Sequence, residues 1–302
     1  MKSQFGAGLA AISAGLLWAS AGAIGEVSVL PPVLLAEIRL GVGGVALLCL
    51  VGFPQLARAV RQLSWTAMAG AVIGVSGFQW AYFAAVANAG VSFATWGSVA
   101  VGPLCAGAIQ EYFWPSSRSE DPHRIPILLG VVGGLCLIAI AQHVSGRGVL
   151  LTLATGLAYA IYATCAGQAA KITQAGSGAS GTLCVTALSL TGGGLTLLPL
   201  AFPMLSNIHD APAMADLARI LFLGLASTAL AYYLFAHGIH RLGPEKALSF
   251  QWVQPIATEF LHLGGSGALP SSTHVAGMAL ATAALLGKCF RLPSTFRHNP
   301  AA

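Results

Sequence analysis

Aromatic, amide and hydroxyl side chains recur inside otherwise apolar stretches of this chain, and their chemistry suits a small ligand. Trp and Tyr rings bury a large area with few rotamers, and they can stack on a ligand ring or attract an ammonium group. Gln and Ser side chains can hydrogen-bond a zwitterion. For rings close to helix ends, an interfacial aromatic belt is an equally good interpretation. The candidate binding residues are Trp18, Gln79, Tyr82, Trp96, Tyr159, Tyr232, Ser249, Trp252 and Gln254.

Three ionisable residues lie inside apolar stretches, where a charge is expensive. Glu37 and Arg39 are two residues apart, so they project to different sides of a helix and cannot pair well on it. Arg39 lies roughly 12 Å inside its helix end. We hypothesise that Arg39 and Glu259 form or break an ion pair as the protein changes state, or that Arg39 binds a ligand carboxylate. The alternative for Glu37 and Glu259 is that their side chains extend to the lipid headgroups.

Gly102, Pro103 and Pro255 interrupt two apolar stretches at corresponding places. A proline removes one backbone donor and frees a carbonyl, and inside a membrane such groups must find partners or line a wet cavity. We interpret these positions as ligand-facing kinks in the two halves of the chain. The alternative is that they are kinks that serve helix packing alone.

The sequence lacks the motifs of covalent, metal or nucleotide chemistry. It contains no phosphate-binding loop, nucleophile triad, metal-ligand cluster or carboxylate dyad, and its six Cys residues lie in apolar stretches without ligand spacing. We therefore expect no cofactor, no metal and no enzymatic activity, and we expect no ATP-driven pumping. The net charge of +5 is not a nucleic-acid signal, because its placement follows the topology described below.

Long stretches of the chain have no charged side chain, and this pattern identifies the elements that must position the candidates. Residues 62–110, 172–209 and 260–287 contain no Asp, Glu, Lys or Arg. Hydrophobic residues make up 56% of the chain, charged residues 8%, and the mean hydropathy is +0.77. A soluble domain needs a solvated outer face, whereas a charge at the centre of a bilayer costs about 2.5–3.5 kcal/mol. The sequence therefore predicts a multi-pass membrane protein.

Ten membrane helices account for the apolar stretches, because one crossing needs about 20 residues. Gly, Pro and Asn residues mark the turns between them. Ala19-Ser20-Ala21 resembles a signal-peptidase site, but we expect no cleavage, because the first helix has a counterpart later in the chain. We predict helices over residues 5–25, 31–52, 64–87, 91–110, 125–143, 149–170, 178–202, 218–239, 246–264 and 272–290.

The basic residues predict the direction of these helices. With the N-terminus inside, eleven of the fourteen Lys and Arg residues face the cytoplasm, two (Arg147 and Arg219) face outward, and Arg39 lies within a helix. Basic residues concentrate in the cytoplasmic loops of membrane proteins. We therefore predict that both termini are cytoplasmic and that the protein lies in a bacterial inner membrane.

The two halves of the chain resemble each other, which predicts an internal repeat. Each half would hold five helices, and because five is odd the second repeat would enter the membrane upside down. Inverted repeats are an architecture of transporters. We predict one repeat over residues 1–145, a second over 146–291 and a cytoplasmic tail over 292–302. The matching residues include Trp18, Gly74, Ala81, Tyr82 and Pro103 in the first half and, in the same order, Tyr159, Gly224, Ala231, Tyr232 and Pro255 in the second.

The segment Gly224–Tyr233, together with Gly243 and Gln254-Pro255, resembles the ten-helix EamA-type branch of the drug/metabolite transporter superfamily. Arg39 and Gly102-Pro103 also match, so that the resemblance covers nearly the whole chain. Within that branch the chain looks most like the YddG-type amino-acid exporters.

The chain departs from the family where the fourth and ninth helices close. The family often has Leu-Gly-Glu there, whereas this chain has Ile109-Gln110-Glu111 and Leu263-Gly264-Gly265. The second acidic residue is absent, which puts in doubt any mechanism that needs both.

Residues and resemblance together imply a secondary transporter or facilitator that exports small amphipathic metabolites by alternating access, in which two five-helix bundles rock against each other. Amino acids with aromatic or bulky apolar side chains would suit the predicted pocket. Its partners would be this small-molecule substrate and the membrane lipids, and we expect a monomer. The alternatives are export of drugs or other metabolites on the same fold, an intramembrane lipid-processing enzyme, and a structural or sensor protein.

Overall fold

The computed structural model describes residues 2–28, 30–113, 124–177, 179–205, 214–266 and 269–291, and these residues form helices joined by short turns. The all-α prediction is confirmed. The helices are α1 (Lys2–Glu26), α2 (Pro32–Val51), α3 (Phe53–Arg61), α4 (Trp65–Phe113), α5 (Arg124–Ala141), α6 (Gly146–Ser177), α7 (Ala179–Leu205), α8 (Met214–Gly224), a π-helical segment (Leu225–Leu230), α9 (Ala231–Leu242), α10 (Pro244–Ser249), a 3-10 turn (Phe250–Trp252), α11 (Val253–Ser266) and α12 (Ser272–Arg291).

Six of the described helices are long and apolar enough to cross a membrane, and two shorter apolar helices, Pro126–Ala141 and Ser272–Gly287, accompany them. Every predicted span overlaps a helix, but the number of crossings and the side on which the termini lie stay predictions. The sequence did not predict α3. This short helix carries Arg58 and Arg61 in its last turn and leaves Phe53 exposed, as expected of a helix at a membrane surface.

Helix α4 is folded back on itself at Gly90. Its 49 residues would measure about 74 Å as one straight helix, about two and a half times the thickness of a bilayer core. Gly90 instead has φ 78° and ψ 158°, and the hydroxyls of Tyr82 and Thr95, on either side of it, lie 2.8 Å apart. Helix α4 therefore has two limbs, residues 65–89 and 91–113, as the sequence predicted.

The junction between α9 and α10 has the same geometry as the Gly90 fold. Gly243 has φ 81° and ψ 161°, within a few degrees of Gly90. This combination of angles is open almost only to glycine. Matching backbone conformations at corresponding positions add to the sequence matches between the two halves.

Packing groups the helices differently from the two halves of the sequence. Helix α6 packs along α4, and helix α1 packs against α9 and α11, while the other main pairs are α2 with α7 and α5 with α12. We call α4 with α6 the α4 unit, and α1 with α9 and α11 the α1 unit. In the predicted repeat, α1 corresponds to α6, α4 to α9 and α11, α2 to α7, and α5 to α12. The α1 unit is therefore the counterpart of the α4 unit, and each of the other two pairs joins a helix to its own counterpart. A two-fold relation between the halves would produce this pattern.

Glycines allow the close approach of the paired helices. A Cβ atom on Gly74 of α4 would meet the backbone of Tyr162 in α6, and one on Gly44 of α2 would meet the backbone of Thr191 in α7. Gly134 of α5 faces Gly277 of α12 in the same way. In a membrane the hydrophobic effect does not draw helices together, so they associate largely through van der Waals packing. Small residues at the contacts allow the close approach that this packing needs.

Candidate functional site

Aromatic rings from four helices meet in the interior of the bundle. The ring of Trp18 in α1 lies 5.9 Å from that of Tyr159 in α6, 4.9 Å from that of Tyr232 and 5.1 Å from that of Phe235 in α9. Phe78 of α4 stacks on Tyr159 with 4.7 Å between ring centroids. We call these five residues the aromatic cluster. Three of them, Trp18, Tyr159 and Tyr232, were sequence candidates, and the structure brings them together at the contact between the α1 and α4 units.

Two polar atoms of the aromatic cluster are buried without a hydrogen-bond partner among the described residues. They are the indole Nε1 of Trp18 and the hydroxyl oxygen of Tyr159. Buried polar groups are nearly always bonded, because an unsatisfied one costs about 1–3 kcal/mol. Unpaired donors of this kind are what a bound molecule with acceptor oxygens would satisfy.

Arg39 lies beside the aromatic cluster and is almost fully buried. Its Nε donates to Thr228 Oγ1 at 2.6 Å, and its other two nitrogens donate to Gln79 Oε1 at 3.1 Å and to the Ser227 carbonyl at 2.7 Å. The amide of Gln79 then donates to the Tyr232 hydroxyl at 3.2 Å. One continuous set of hydrogen bonds thus links the guanidinium to the aromatic cluster.

The π-helical segment explains why two of these partners converge on Arg39. A π turn inserts an extra residue into a helix and is frequent at functional sites. Ser227 and Thr228 lie in this segment, and each passes its own hydroxyl proton to a carbonyl, of Leu17 and of Leu223 respectively. Their oxygens are therefore free to accept from Arg39. Sequence periodicity gave no sign of this segment, and neither Ser227 nor Thr228 was a candidate binding residue.

The charge of Arg39 has no carboxylate partner among the described residues. All of its hydrogen-bond acceptors are neutral, and the side chain of Phe83 lies against it with 5.8 Å between the guanidinium carbon and the ring centroid. The hypothesised pair with Glu259 is not formed in this structure, because Glu259 has other partners. A buried charge without a counter-ion is costly, and one that persists usually serves a ligand.

Glu259 belongs to a separate buried cluster near the Gly90 fold. Its carboxylate accepts a hydrogen bond from Ser92 and lies 3.4 Å from His274 Nε2. His274 Nε2 is also 3.0 Å from Ser92 Oγ, and its Nδ1 is 3.5 Å from the amide nitrogen of Gln142. We call these four residues the glutamate cluster. Sequence analysis identified only Glu259, because short polar residues close to predicted helix ends give no signal of burial.

The other sequence candidates lie outside the aromatic cluster. Tyr82 is buried against Thr95, and Trp96 is buried near Glu259. Ser249 donates to the Glu245 carbonyl at 3.0 Å, and Trp252 is half-buried against a separate apolar group that includes Val99 and Leu285. Ser249 and Trp252 were predicted to share one helix face towards the ligand, but neither lies in the aromatic cluster. A 3-10 turn covers residues 250–252 and changes the direction of the side chains.

Two further candidates, Gln254 and Glu37, differ in how deeply they are buried. Gln254 is buried, whereas Glu37 is only half-buried, next to Gly41 on its own helix. A glutamine that the sequence reading passed over, Gln251, donates to the Ala11 carbonyl of α1 at 2.7 Å.

The predicted helix breaks lie close to the two clusters. A Cβ atom on Gly102 would come within 3.4 Å of the Tyr159 ring, and Pro103 is buried next to it in α4. Pro255 is buried in α11, one turn before Glu259. Among the described residues, no group of three His, Cys, Asp or Glu side chains could hold a metal ion.

Comparisons with known proteins agree with this architecture. Residues 146–287 match the EamA-like transporter family. An uncharacterized transporter from Bacillus subtilis (strain 168), YwfM, is 26% identical over 258 residues, which are 84% of this chain and 83% of that protein. A solved crystal structure superimposes with a TM-score of 0.69 over 94% of this chain and 96% of its own, at 19% identity, which supports the fold alone. Residues 146–287 are therefore similar to the EamA-like transporter family, and they belong to a helical chain with six described helices long and apolar enough to cross a membrane.

Proposed function

We propose that this protein is a secondary transporter that exports small amphipathic metabolites bearing a carboxylate, with aromatic or bulky apolar amino acids as the preferred cargo. The family match supports transport. The choice of amino acids, and the resemblance to YddG-type exporters, belong to the proposal.

The observation that carries this choice is the buried guanidinium of Arg39, which lies beside the aromatic cluster and has only neutral partners in the described part of the chain. A cargo carboxylate would supply the missing negative charge, and charge-assisted bonds from a guanidinium to a carboxylate are among the strongest in proteins. The apolar part of the cargo would then lie against Trp18 and Tyr159, whose unpaired polar atoms could bond its remaining groups.

Alternating access would move the α1 unit against the α4 unit about this site. The moving units that we propose differ from the two five-helix halves of the sequence prediction, because α1 packs with helices of the second half and α6 packs with α4 of the first. The proposal includes ten crossings, inverted repeats over residues 1–145 and 146–291, cytoplasmic termini and a bacterial inner membrane. It requires no chemical step and no second subunit.

The test is efflux of each of the twenty amino acids from proteoliposomes that contain the purified full chain. We expect flux of L-phenylalanine and no comparable flux of 2-phenylethylamine, which has the same ring and ammonium group but lacks the carboxylate. In Arg39→Gln we expect binding of L-phenylalanine to weaken about ten- to hundredfold, the value of hydrogen bonds to one charged group. Arg58→Gln, at an exposed arginine of α3, is the matched control.

Selectivity separates this role from a purely structural one. If Arg39 only holds the helices together, Arg39→Gln lowers the flux of every compound and leaves the preference for the carboxylate unchanged. Absence of flux for all twenty amino acids would contradict the choice of cargo.

A further inference from the structure

The glutamate cluster is a second buried polar site, distinct from Arg39 and the aromatic cluster. Ser92, Glu259 and His274 are each less than 8% exposed. They come from three helices: Ser92 from the second limb of α4, Glu259 from α11 and His274 from α12, with Gln142 following the end of α5. The cluster therefore joins the α4 unit, the α1 unit and the α5–α12 pair at one end of the bundle.

The hydrogen atoms of this cluster can be counted from its contacts. Ser92 has one hydroxyl proton and gives it to Glu259, so its oxygen accepts from His274 Nε2. His274 therefore carries a proton on Nε2. In the neutral ring, Nδ1 is then an acceptor, and the amide nitrogen of Gln142 faces it. A neutral ring beside a carboxylate leaves the cluster with a net charge of −1, buried where a charge is costly.

Gln142 shows how the cluster could accept one more proton. Its Oε1 is buried and has no hydrogen-bond partner among the described residues. The oxygen and nitrogen of an amide are interchangeable by a half-turn of the side chain. A turned amide would place Oε1 where it accepts from Nδ1–H of a charged imidazolium. Both protonation states of His274 thus have a complete set of partners.

We propose that Ser92, Glu259, His274 and Gln142 form a proton-binding site that couples cargo export to proton entry. This inference rests on the proposed function. One proton binds from the medium at the end of the bundle near Gly90, and the charge of the Glu259–His274 pair changes from −1 to 0. The same proton is released on the other side when the units have moved, while cargo leaves in the opposite direction. No other reactant takes part.

The position of the site explains how proton binding could change the packing of the helices. The bond from Ser92 to the carboxylate crosses between the α4 and α1 units. A proton on His274 leaves the carboxylate charged and gives it a cationic neighbour at 3.4 Å, which attracts it more strongly than the neutral ring does and competes with Ser92. Proton binding therefore weakens the Ser92 bond and favours separation of the two units at this end. A ligand can shift a conformational equilibrium only through such a difference in affinity between the two states.

Few other titratable groups face the cluster within the described ranges. On α11 and α1 the nearest are His262 and Glu26, which pair with each other at 2.9 Å in a more exposed position. The second limb of α4 presents Ser92, Trp96 and Thr95, with Tyr82 bonded to Thr95. His143 after α5 and Arg147 at the start of α6 are exposed. The Glu26–His262 pair therefore offers a matched control from the same end of the bundle.

The first experiment measures efflux of L-phenylalanine from proteoliposomes at equal pH and with an acidic exterior. A one-unit gradient can support up to about a tenfold change in the cargo ratio if one proton is exchanged per molecule. We expect the ratio of efflux with the gradient to efflux without it to exceed one in the wild type and in Glu26→Gln. The ratio should fall to one in Glu259→Gln and in His274→Asn. Exchange of L-phenylalanine at equal pH without any gradient response, or a response to a sodium gradient instead, would overturn the proton site and leave the proposed function intact.

The second experiment does not depend on the cargo. Infrared difference spectra of the purified protein are recorded while the pH is lowered from about 8 to 5, the range in which a free histidine side chain changes its charge. We expect a spectral change from the carboxylate and imidazole that persists in Glu26→Gln and disappears in Glu259→Gln. If Glu259→Gln and the wild type give the same spectra, the site does not bind a proton, whatever the cargo proves to be.

Discussion

Removal of the Tyr159 hydroxyl should have opposite effects on the stability of the protein and on its binding of cargo. The hydroxyl is buried in the aromatic cluster without a partner among the described residues, so Tyr159→Phe removes an unsatisfied group and is expected to stabilise the protein by about 1 kcal/mol. The same change should weaken binding of L-phenylalanine if the hydroxyl contacts the cargo. Thermal unfolding in detergent and a binding titration test the two effects together. Tyr82→Phe is the control, because its hydroxyl is bonded to Thr95 and its loss should lower stability. Unchanged binding in Tyr159→Phe would remove this hydroxyl from the site.

At the scale of single residues, three of the five rings and one partner of Arg39, Gln79, could be predicted from the sequence, whereas the other two partners of Arg39 could not. Trp18, Tyr159 and Tyr232 could be located because depth follows from counting along an apolar helix, and because the repeat pairs them. Ser227 and Thr228 could not be located in this way, because they converge on the guanidinium only through the π-helical segment. The glutamate cluster was missed for another reason. Ser92 and His274 are far apart in the sequence, and their meeting depends on how three helices pack.

The π-helical segment is the element that prepares Arg39 for a ligand, and its contribution can be measured at Thr228. Thr228→Val keeps the shape of the side chain but removes the acceptor for Arg39 Nε, at 2.6 Å. A lost hydrogen bond to a charged group costs about 1.5–3 kcal/mol, so the unfolding temperature should fall. Thr228→Ser retains the oxygen and should behave nearly as the wild type. Thr282→Val, whose hydroxyl bonds only within α12, controls for the substitution itself, and equal losses in both valine variants would contradict a special role for the segment.

The glycine junctions are the elements that fix the two folded-back helix pairs. Apart from adjoining backbone, none of the described residues comes within 4 Å of a Cβ built on Gly90 or Gly243, so an alanine there meets backbone strain alone. The φ and ψ angles fall in a region open almost only to glycine, and we expect each Gly→Ala change to cost about 1–3 kcal/mol. Gly6→Ala in α1 has equal space and ordinary helical geometry, so it should be neutral or stabilising. Thermal unfolding distinguishes the cases, and equal values for all three variants would show that strain at the junctions is relieved elsewhere.

For the whole molecule, the sequence predicted the helices well because apolar length and glycine punctuation are local signals. It did not predict which helices would move together. The division into an α4 unit and an α1 unit depends on close contacts such as Gly74 with Tyr162, where the absence of a side chain allows the approach. Such contacts join residues from opposite halves of the chain, and a repeat in the sequence defines only counterparts and not neighbours.

If the two units separate during transport, cross-links within a unit and between units should have different effects. Gly22 in α1 faces Val91 in α4, so a disulfide between Gly22→Cys and Val91→Cys would tie the units together at the end near Gly90. Glu26 and His262 also lie at this end, 2.9 Å apart, but both belong to the α1 unit. Both cysteine pairs are made in a chain whose six native cysteines have been replaced. Oxidation should abolish L-phenylalanine efflux in the Gly22→Cys/Val91→Cys variant, and reduction should restore it. The Glu26→Cys/His262→Cys variant should transport L-phenylalanine in both states. Transport through the oxidised Gly22–Val91 pair would mean that this contact never opens, and the units would then have to move about another interface.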